Sequence, residues 1–115
     1  MIKLVTIDLD GTLFDSDSKI SDANKQAVRE CINSGIKIVL STGKSIKCVD
    51  LVIKELGLVD LQIAAGGTVI ITPDLKIHAV MKISRDSVLN AINLARDNDI
   101  GYGLDTTAGN LYYEK

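Results

Sequence analysis

The hydrophobic and polar positions along the first half of the chain alternate between strand-like runs and helical patterns. Three short apolar runs predict strands at residues 2–9, 36–40 and 61–65. The first has little alternation, which is typical of a strand buried on both faces of a parallel sheet, and the second is also predicted to be buried. Two segments between them carry apolar residues at helical spacing. Ser21 is a good N-cap for the first helix, and Gly35 and Gly57 follow the two helices where a left-handed residue is favoured. The β-α-β-α-β order predicts an α/β fold with a doubly wound, Rossmann-like parallel sheet.

The pattern changes after Gly66 and Gly67, where antiparallel elements are predicted. The expected elements are a hairpin of 68–72 and 77–83 with a Pro-Asp turn, a helix over 85–98 capped by Ser84, and strands at 101–104 and 110–113 around the turn 105–109.

Composition narrows the class of protein. The 115 residues are 46% hydrophobic and 24% charged, which is typical of a folded domain. A net charge of −2 without a Lys/Arg cluster argues against nucleic acid or an anionic membrane as partner. No run has the pattern of a signal peptide or the length of a membrane span, so a cytoplasmic protein is expected. Cys31 and Cys48 lack metal-ligand spacing and are predicted to be buried thiols.

Polar residues or glycines follow each of the three predicted strands. Asp8 closes the first strand, 41–44 (Ser-Thr-Gly-Lys) follows the second, and Gly66-Gly67 follows the third. Ligands of an open parallel sheet bind beyond the carboxyl ends of its strands. These distant segments are therefore expected to meet in one site.

Asp8 and Asp10 have the spacing and chemistry for phosphoryl transfer. Their oxygens suit Mg²⁺, which binds a few carboxylate or carbonyl oxygens and keeps several waters. Asp8 would attack phosphorus and become an acyl phosphate, while Asp10 would protonate the leaving oxygen and then deprotonate the hydrolytic water. Gly11 permits a tight turn, and Thr12 offers a hydroxyl and an N–H to fix it.

The other two loops are predicted to bind the substrate. Thr42 would donate a hydrogen bond to a phosphate oxygen, Gly43 would allow close backbone approach, and Lys44 would add positive charge at a helix N-terminus. Gly66 and Gly67 serve either turn formation or ligand approach.

Two of these segments resemble signature motifs of the haloacid dehalogenase (HAD) superfamily. Residues 7–13 (IDLDGTL) resemble its D-x-D-G-T motif, 41–44 (STGK) resemble its second motif, and the frame of the chain is similar to the Cof-type phosphatases. The resemblance implies Mg²⁺-dependent hydrolysis of a small phosphorylated metabolite, such as a sugar phosphate. It also implies that Asp8 is the nucleophile, Asp10 the acid/base and Thr42 a phosphate ligand. Lys44 stands where such phosphatases more often have Arg.

The resemblance further implies a division of the chain. Residues 1–82 correspond to the N-terminal half of the HAD core, and 83–115 to the beginning of an α+β cap domain. The family supplies a phosphate-binding lysine and a second acidic pair from segments after the cap, and no matching sequence occurs up to Lys115. We therefore expect part of a longer phosphatase with low activity alone, or a chain that self-associates through the exposed edge of its first strand.

Two other functions remain open from sequence. A non-catalytic binding or assembly module could keep the core without the later motifs. A phosphoacceptor domain like a response regulator would also carry an aspartate at a strand end, but D-x-D-G-T on the first strand argues against it. Asp15 and Asp17 are expected to face water rather than to take part in the site.

Overall fold

The computed structural model describes residues 1–107 and 111–114. The chain forms two compact units, Met1–Val80 and Met81–Lys115, and each is described by itself. The elements of the first unit are β1 (Leu4–Ile7), α1 (Asp22–Asn33), β2 (Lys37–Leu40), α2 (Ile46–Leu56), β3 (Gln62–Ala64), β4 (Val69–Ile71) and β5 (Ile77–Val80). The elements of the second unit are α3 (Arg85–Asp97), β6 (Tyr102–Asp105) and β7 (Leu111–Glu114).

The strands of the first unit follow the predicted α/β order. β1 and β2 are parallel, with Ile7 opposite Leu40. A single parallel bridge between Ser41 and Ile63 continues the order from β2 to β3. β3, β4 and β5 then form an antiparallel sheet, so the predicted hairpin is present. The α/β fold class is confirmed.

β1 corrects one expectation, because it is not buried on both faces. Val5 and Ile7 are half-buried and line an open, mostly apolar groove together with residues of α1 such as Val28. The opposite row of side chains is exposed, and Leu4 retains 48% of its surface. Among the described residues, no strand pairs with the second edge of β1. A strand is buried on both faces only where both faces are covered. Self-association through this edge stays a prediction.

Local capping signals place both helices of the first unit. The Ser21 hydroxyl accepts a hydrogen bond from the Asn24 N–H at 3.2 Å and starts α1. Gly57 follows α2 with φ of 67°, the left-handed conformation that glycine adopts without strain. α2 buries the apolar face on which the prediction rested. The two thiols, however, are half-buried rather than buried, and both are free.

A buried glutamine connects β2 to β3. Gln62 is fully buried, and its Oε1 accepts a hydrogen bond from the Leu40 N–H at 2.6 Å. Its Nε2 donates to the Ile38 carbonyl at 3.2 Å and to the Asp60 carbonyl at 2.9 Å. The Gln62 side chain thus forms hydrogen bonds with backbone groups of β2 that would otherwise be buried without a partner. It adds to the single bridge that connects the end of β2 with β3. This residue was not singled out from the sequence.

The second unit consists of α3 and a two-stranded antiparallel sheet. The Ser84 hydroxyl accepts a hydrogen bond from the Ser87 N–H at 3.1 Å, so the predicted cap is present. β6 and β7 pair with Tyr102 opposite Glu114. Residues 108 and 109 of the predicted turn, and residue 110 at the start of the predicted last strand, lie outside the described residues. Among the described helices, none has the length and apolar character needed to cross a bilayer.

An ion pair connects the end of α3 to β7. The Arg96 guanidinium donates from Nε to Glu114 Oε1 at 2.7 Å, and the Tyr102 hydroxyl donates to Glu114 Oε2 at 2.7 Å. These hydrogen bonds, Arg96 first, lower the pKa of Glu114 to about 2. The ionised carboxylate is therefore favoured in the folded unit.

We expect the stability of the second unit to fall in acid because of this pair. Since the folded pKa of Glu114 lies below its ordinary value of 4.5, the contribution is present above that pH and is lost as the pH falls toward 2. The stability of the second unit, followed through the NMR signals of β6 and β7 at several pH values, should show this loss. Arg96→Met should remove this dependence of stability on pH. Arg85→Met, at the start of the same helix, is the control. An unchanged pH profile in Arg96→Met would contradict the assignment.

Candidate active site

The backbone turns sharply directly after β1. The Leu13 N–H donates to the Asp8 carbonyl at 3.2 Å, and the Phe14 N–H donates to the Leu9 carbonyl at 2.8 Å, which closes a wide turn. Within it, Asp10 (φ −68°, ψ 127°) and Gly11 (φ 68°, ψ 7°) have the angles of a type II turn. The second central position of such a turn has positive φ and strongly favours glycine. The sequence prediction of a tight turn at Gly11 therefore agrees with the backbone.

The two acidic side chains of this turn lie at the surface. Leu9, between them, is completely buried and anchors the turn in the core. Asp8 Oδ1 accepts a hydrogen bond from the Leu9 N–H at 2.7 Å. Asp10 Oδ2 lies 3.0 Å from the Lys44 ammonium. Each carboxylate thus has one oxygen engaged and is exposed to solvent.

The loop after β2 lies beside the end of β1. The Ser41 N–H donates to the Ile7 carbonyl at 2.9 Å, so the residue after β2 is level with the last residue of β1. Thr42 is buried, with 5% of its surface exposed, and its hydroxyl accepts a hydrogen bond from the Lys44 N–H at 3.2 Å. Gly43 lies between them and is exposed.

The loop after β3 is hydrogen-bonded to the loop after β2. The Ala65 N–H donates to the Lys44 carbonyl at 2.8 Å, and the Gly66 N–H donates to the Thr42 carbonyl at 3.1 Å. Gly66 and Gly67 have φ of 64° and 88°, which few residues other than glycine adopt. The three loops therefore meet at one edge of the first unit. The functional roles of their residues stay predictions.

The other acidic residues near this turn have a different role. Asp15 is exposed, as expected, but its Oδ1 accepts hydrogen bonds from the Asp17 N–H and the Lys19 N–H, each at 2.9 Å. It thereby organises the loop that pairs Phe14 with Ile20. Local hydrogen bonds of this kind are common for aspartate in turns. Asp15 is thus a structural residue rather than only a solvated one.

The electrostatics of the site centre on Lys44. The hydrogen bond to Asp10, followed by the Coulombic attraction of the same carboxylate, raises the pKa of Lys44. The ammonium is therefore charged throughout the neutral range. A positive charge beside the N-terminus of α2 favours an anion at this position.

The chain offers hard oxygen donors for a metal at this edge. Asp8 and Asp10 supply carboxylate and carbonyl oxygens, which match the ligand preference of Mg²⁺. Within residues 1–107 and 111–114, no group of three or more His, Cys, Asp or Glu residues is placed to hold a metal. A small set of oxygen donors of this kind fits an ion that keeps several waters.

Comparison with known proteins decides the family. The family described as haloacid dehalogenase-like hydrolase matches residues 5–115. The chain belongs to this family. The resemblance on which the sequence prediction rested is therefore confirmed over nearly the whole chain.

Several relatives of the chain are named phosphatases. The chain is 38% identical over 77 residues to phosphatase YwpJ of Bacillus subtilis, and the matched region covers 67% of this chain and 27% of that protein. It is 39% identical over 67 residues to YcsE of the same organism, named a 5-amino-6-(5-phospho-D-ribitylamino)uracil phosphatase, covering 58% and 27%. The chain spans about a quarter of the length of these relatives.

Solved structures of HAD-like hydrolases share the fold. BT1666 of Bacteroides thetaiotaomicron, a phosphatase of the HAD superfamily, superposes with a TM-score of 0.82 at 29% identity, over 100% of this chain and 42% of that one. A haloacid dehalogenase-like hydrolase from B. subtilis gives a TM-score of 0.80 at 30% identity, over 89% and 36%. The fold is thus that of HAD-like hydrolases.

Proposed function

We propose that the chain carries the nucleophile and phosphate-binding loops of a Mg²⁺-dependent, cytoplasmic phosphatase that acts on a small phosphorylated metabolite. The observation that carries this proposal is the hydrogen-bonded convergence of the loops after β1, β2 and β3. It brings Asp8 to the edge that also carries Thr42 and Lys44. A carboxylate nucleophile, a hydroxyl donor and a cation are the groups that phosphoryl transfer requires.

The chemistry follows from the two aspartates. A carboxylate oxygen of Asp8 attacks phosphorus, the bond from phosphorus to the ester oxygen breaks, and Asp10 protonates the departing alkoxide. Water then attacks the phosphorus of the aspartyl phosphate, Asp10 accepts its proton, and phosphate leaves with Asp8 restored. Both side chains are exposed, so a substrate can reach them.

The loops after β2 and β3 bind the phosphoryl group. The Thr42 hydroxyl accepts the Lys44 N–H, which leaves its own hydrogen free to donate to a phosphate oxygen. Lys44 supplies positive charge, and the backbone at Gly43, Gly66 and Gly67 allows close approach. Gly11 and Thr12 shape the turn beneath the substrate.

Asp8 and Asp10 would hold Mg²⁺ through oxygen atoms. When bound, the ion neutralises negative charge on the phosphoryl group. The proposed substrate class is a phosphate monoester of a small metabolite, such as a sugar phosphate. The name of YcsE, which specifies a phosphoribityl compound, supports that class.

We also propose how the two units divide the work. Residues 1–82 form the N-terminal part of the catalytic core, and residues 83–115 begin a cap domain that selects the group attached to phosphate. The clustering of proposed catalytic residues in the first unit supports this division.

Hydrolysis of p-nitrophenyl phosphate tests the proposal. We expect low turnover, in keeping with the activity expected of this chain alone, that EDTA abolishes and added Mg²⁺ restores. Ca²⁺ should restore it poorly because Ca²⁺ takes more ligands at longer distances. Turnover that persists in EDTA would contradict Mg²⁺ dependence.

A binding or assembly module is the second candidate. The ion pair between Lys44 Nζ and Asp10 Oδ2, at 3.0 Å, favours it, because a cation beside a helix N-terminus can bind an anion without any reaction and the proposed acid/base is engaged. Binding of inorganic phosphate without turnover of any ester would support this candidate against the phosphatase.

A further inference from the structure

Lys44 has a fixed backbone and a movable charge. Its N–H donates to Thr42 Oγ1 at 3.2 Å, and its carbonyl accepts the Ala65 N–H at 2.8 Å. The side chain itself is 38% exposed. Rotations about the side-chain bonds can therefore move the ammonium without disturbing the loop.

In the structure this ammonium binds Asp10. The distance from Nζ to Asp10 Oδ2 is 3.0 Å, and the Asp10 side chain is 60% exposed. Among the described residues, Asp10 is the only carboxylate within ion-pair distance of Lys44. The Lys44 ammonium therefore has two competing anionic partners. One is the carboxylate of Asp10, the proposed acid/base, and the other is the phosphoryl group of an incoming substrate.

Physical chemistry favours transfer of the cation to the phosphoryl group. Exposed ion pairs contribute little free energy, so the contact with Asp10 is easily broken. A phosphate dianion carries twice the charge of a carboxylate. Its proposed site lies beside the Thr42 hydroxyl and the N-terminus of α2. Once Lys44 leaves, the Asp10 side chain is free to approach the substrate oxygen.

We propose that the Lys44–Asp10 contact is an anion-operated latch: Lys44 holds the Asp10 side chain in the empty site, and a bound phosphate draws the ammonium away and releases Asp10. This inference rests on the proposed function. In this latch Lys44 is a positioning residue for Asp10 as well as a phosphate ligand.

A double-mutant cycle on phosphate affinity tests the latch. Inorganic phosphate is titrated without Mg²⁺ into the whole chain, into Asp10→Asn, into Lys44→Met and into the double variant, with calorimetry as readout. Asp10→Asn removes a negative charge that repels phosphate, so it should tighten phosphate binding both with Lys44 present and in the Lys44→Met chain. The latch predicts a further tightening of about two- to fivefold only when Lys44 is present, because Lys44 is then no longer held.

Two further variants separate the latch from general electrostatics. Lys44→Arg retains the charge and should restore the coupling. Asp17→Asn removes a negative charge on the loop that follows the turn, and Asp17 makes no ion pair with Lys44. Its effect on phosphate affinity should therefore be the same in the wild-type and Lys44→Met backgrounds. Asp10→Asn leaves the turn hydrogen bonds intact, since these use the backbone of Asp8 and Leu9.

The size and sign of the coupling, together with phosphate binding by the wild-type chain, decide between the latch and its alternatives. Zero coupling would overturn the latch while leaving the phosphatase proposal standing. Coupling of opposite sign would show that Asp10 orients Lys44 toward phosphate, which also overturns it. If the wild-type chain binds no phosphate at all, both the latch and the proposed phosphate site are wrong.

Discussion

Asp8→Asn should reduce phosphate-ester hydrolysis to the uncatalysed rate. An amide is not a competent nucleophile toward phosphorus, so the aspartyl phosphate cannot form. The substituted asparagine side chain has nearly the size of the native one, and its amide oxygen can still accept the Leu9 N–H. The loss should therefore appear in kcat without a loss of folded structure, as checked by initial rates and by NMR spectra of both proteins.

Asp10→Asn should have a smaller effect that depends on the leaving group. Loss of a general acid typically lowers the rate by about 10²- to 10⁴-fold. Because p-nitrophenolate leaves without protonation, the loss should be smaller for p-nitrophenyl phosphate than for an alkyl phosphate such as glycerol phosphate. Asp17→Asn is the matched control and should retain activity. Equal losses of kcat/KM, which reports the formation of the aspartyl phosphate and not its hydrolysis, would contradict the role of Asp10 as an acid.

The second large effect concerns Gln62. Gln62→Ala leaves the Leu40 N–H and the Ile38 carbonyl without their side-chain partner in a buried setting. Each unsatisfied buried group costs about 1–3 kcal/mol, so for these two groups we expect a loss of about 2–6 kcal/mol in the free energy of unfolding. Urea denaturation followed by circular dichroism measures it.

An exposed glutamine provides the control for this prediction. Gln26 lies on α1, and its Nε2 bonds Glu30 at the surface at 2.9 Å. Gln26→Ala should change stability by no more than about 0.5 kcal/mol. If both variants lost the same amount, the buried hydrogen bonds of Gln62 would not be stabilising β2 against β3.

Local signals explain why much of the fold was predictable. Ser21 and Gly57 act within one turn of their helices, so a short window of sequence contains the relevant physics. The convergence of the loops after the strands followed from the rule that ligand sites lie at the carboxyl ends of parallel strands.

Long-range contacts explain what was missed. Gln62 bonds residues 22 and 24 positions earlier in the chain, and no local pattern marks such a partner. The ion pair of Lys44 with Asp10 likewise joins two loops whose side-chain positions depend on the folded backbone. The exposure of β1 differed from expectation because burial depends on which elements cover each face, not on the strand itself.

Covalent phosphorylation of Asp8 is the central step of the proposed mechanism. Incubation of the chain with acetyl phosphate and Mg²⁺, followed by an acid quench and peptide mass spectrometry, detects even a single phosphorylation event per molecule. We predict a phosphoryl group on the peptide that contains Asp8, sensitive to hydroxylamine and absent from Asp8→Asn. A phosphoryl group on a different residue, or none on the wild-type chain, would contradict the account.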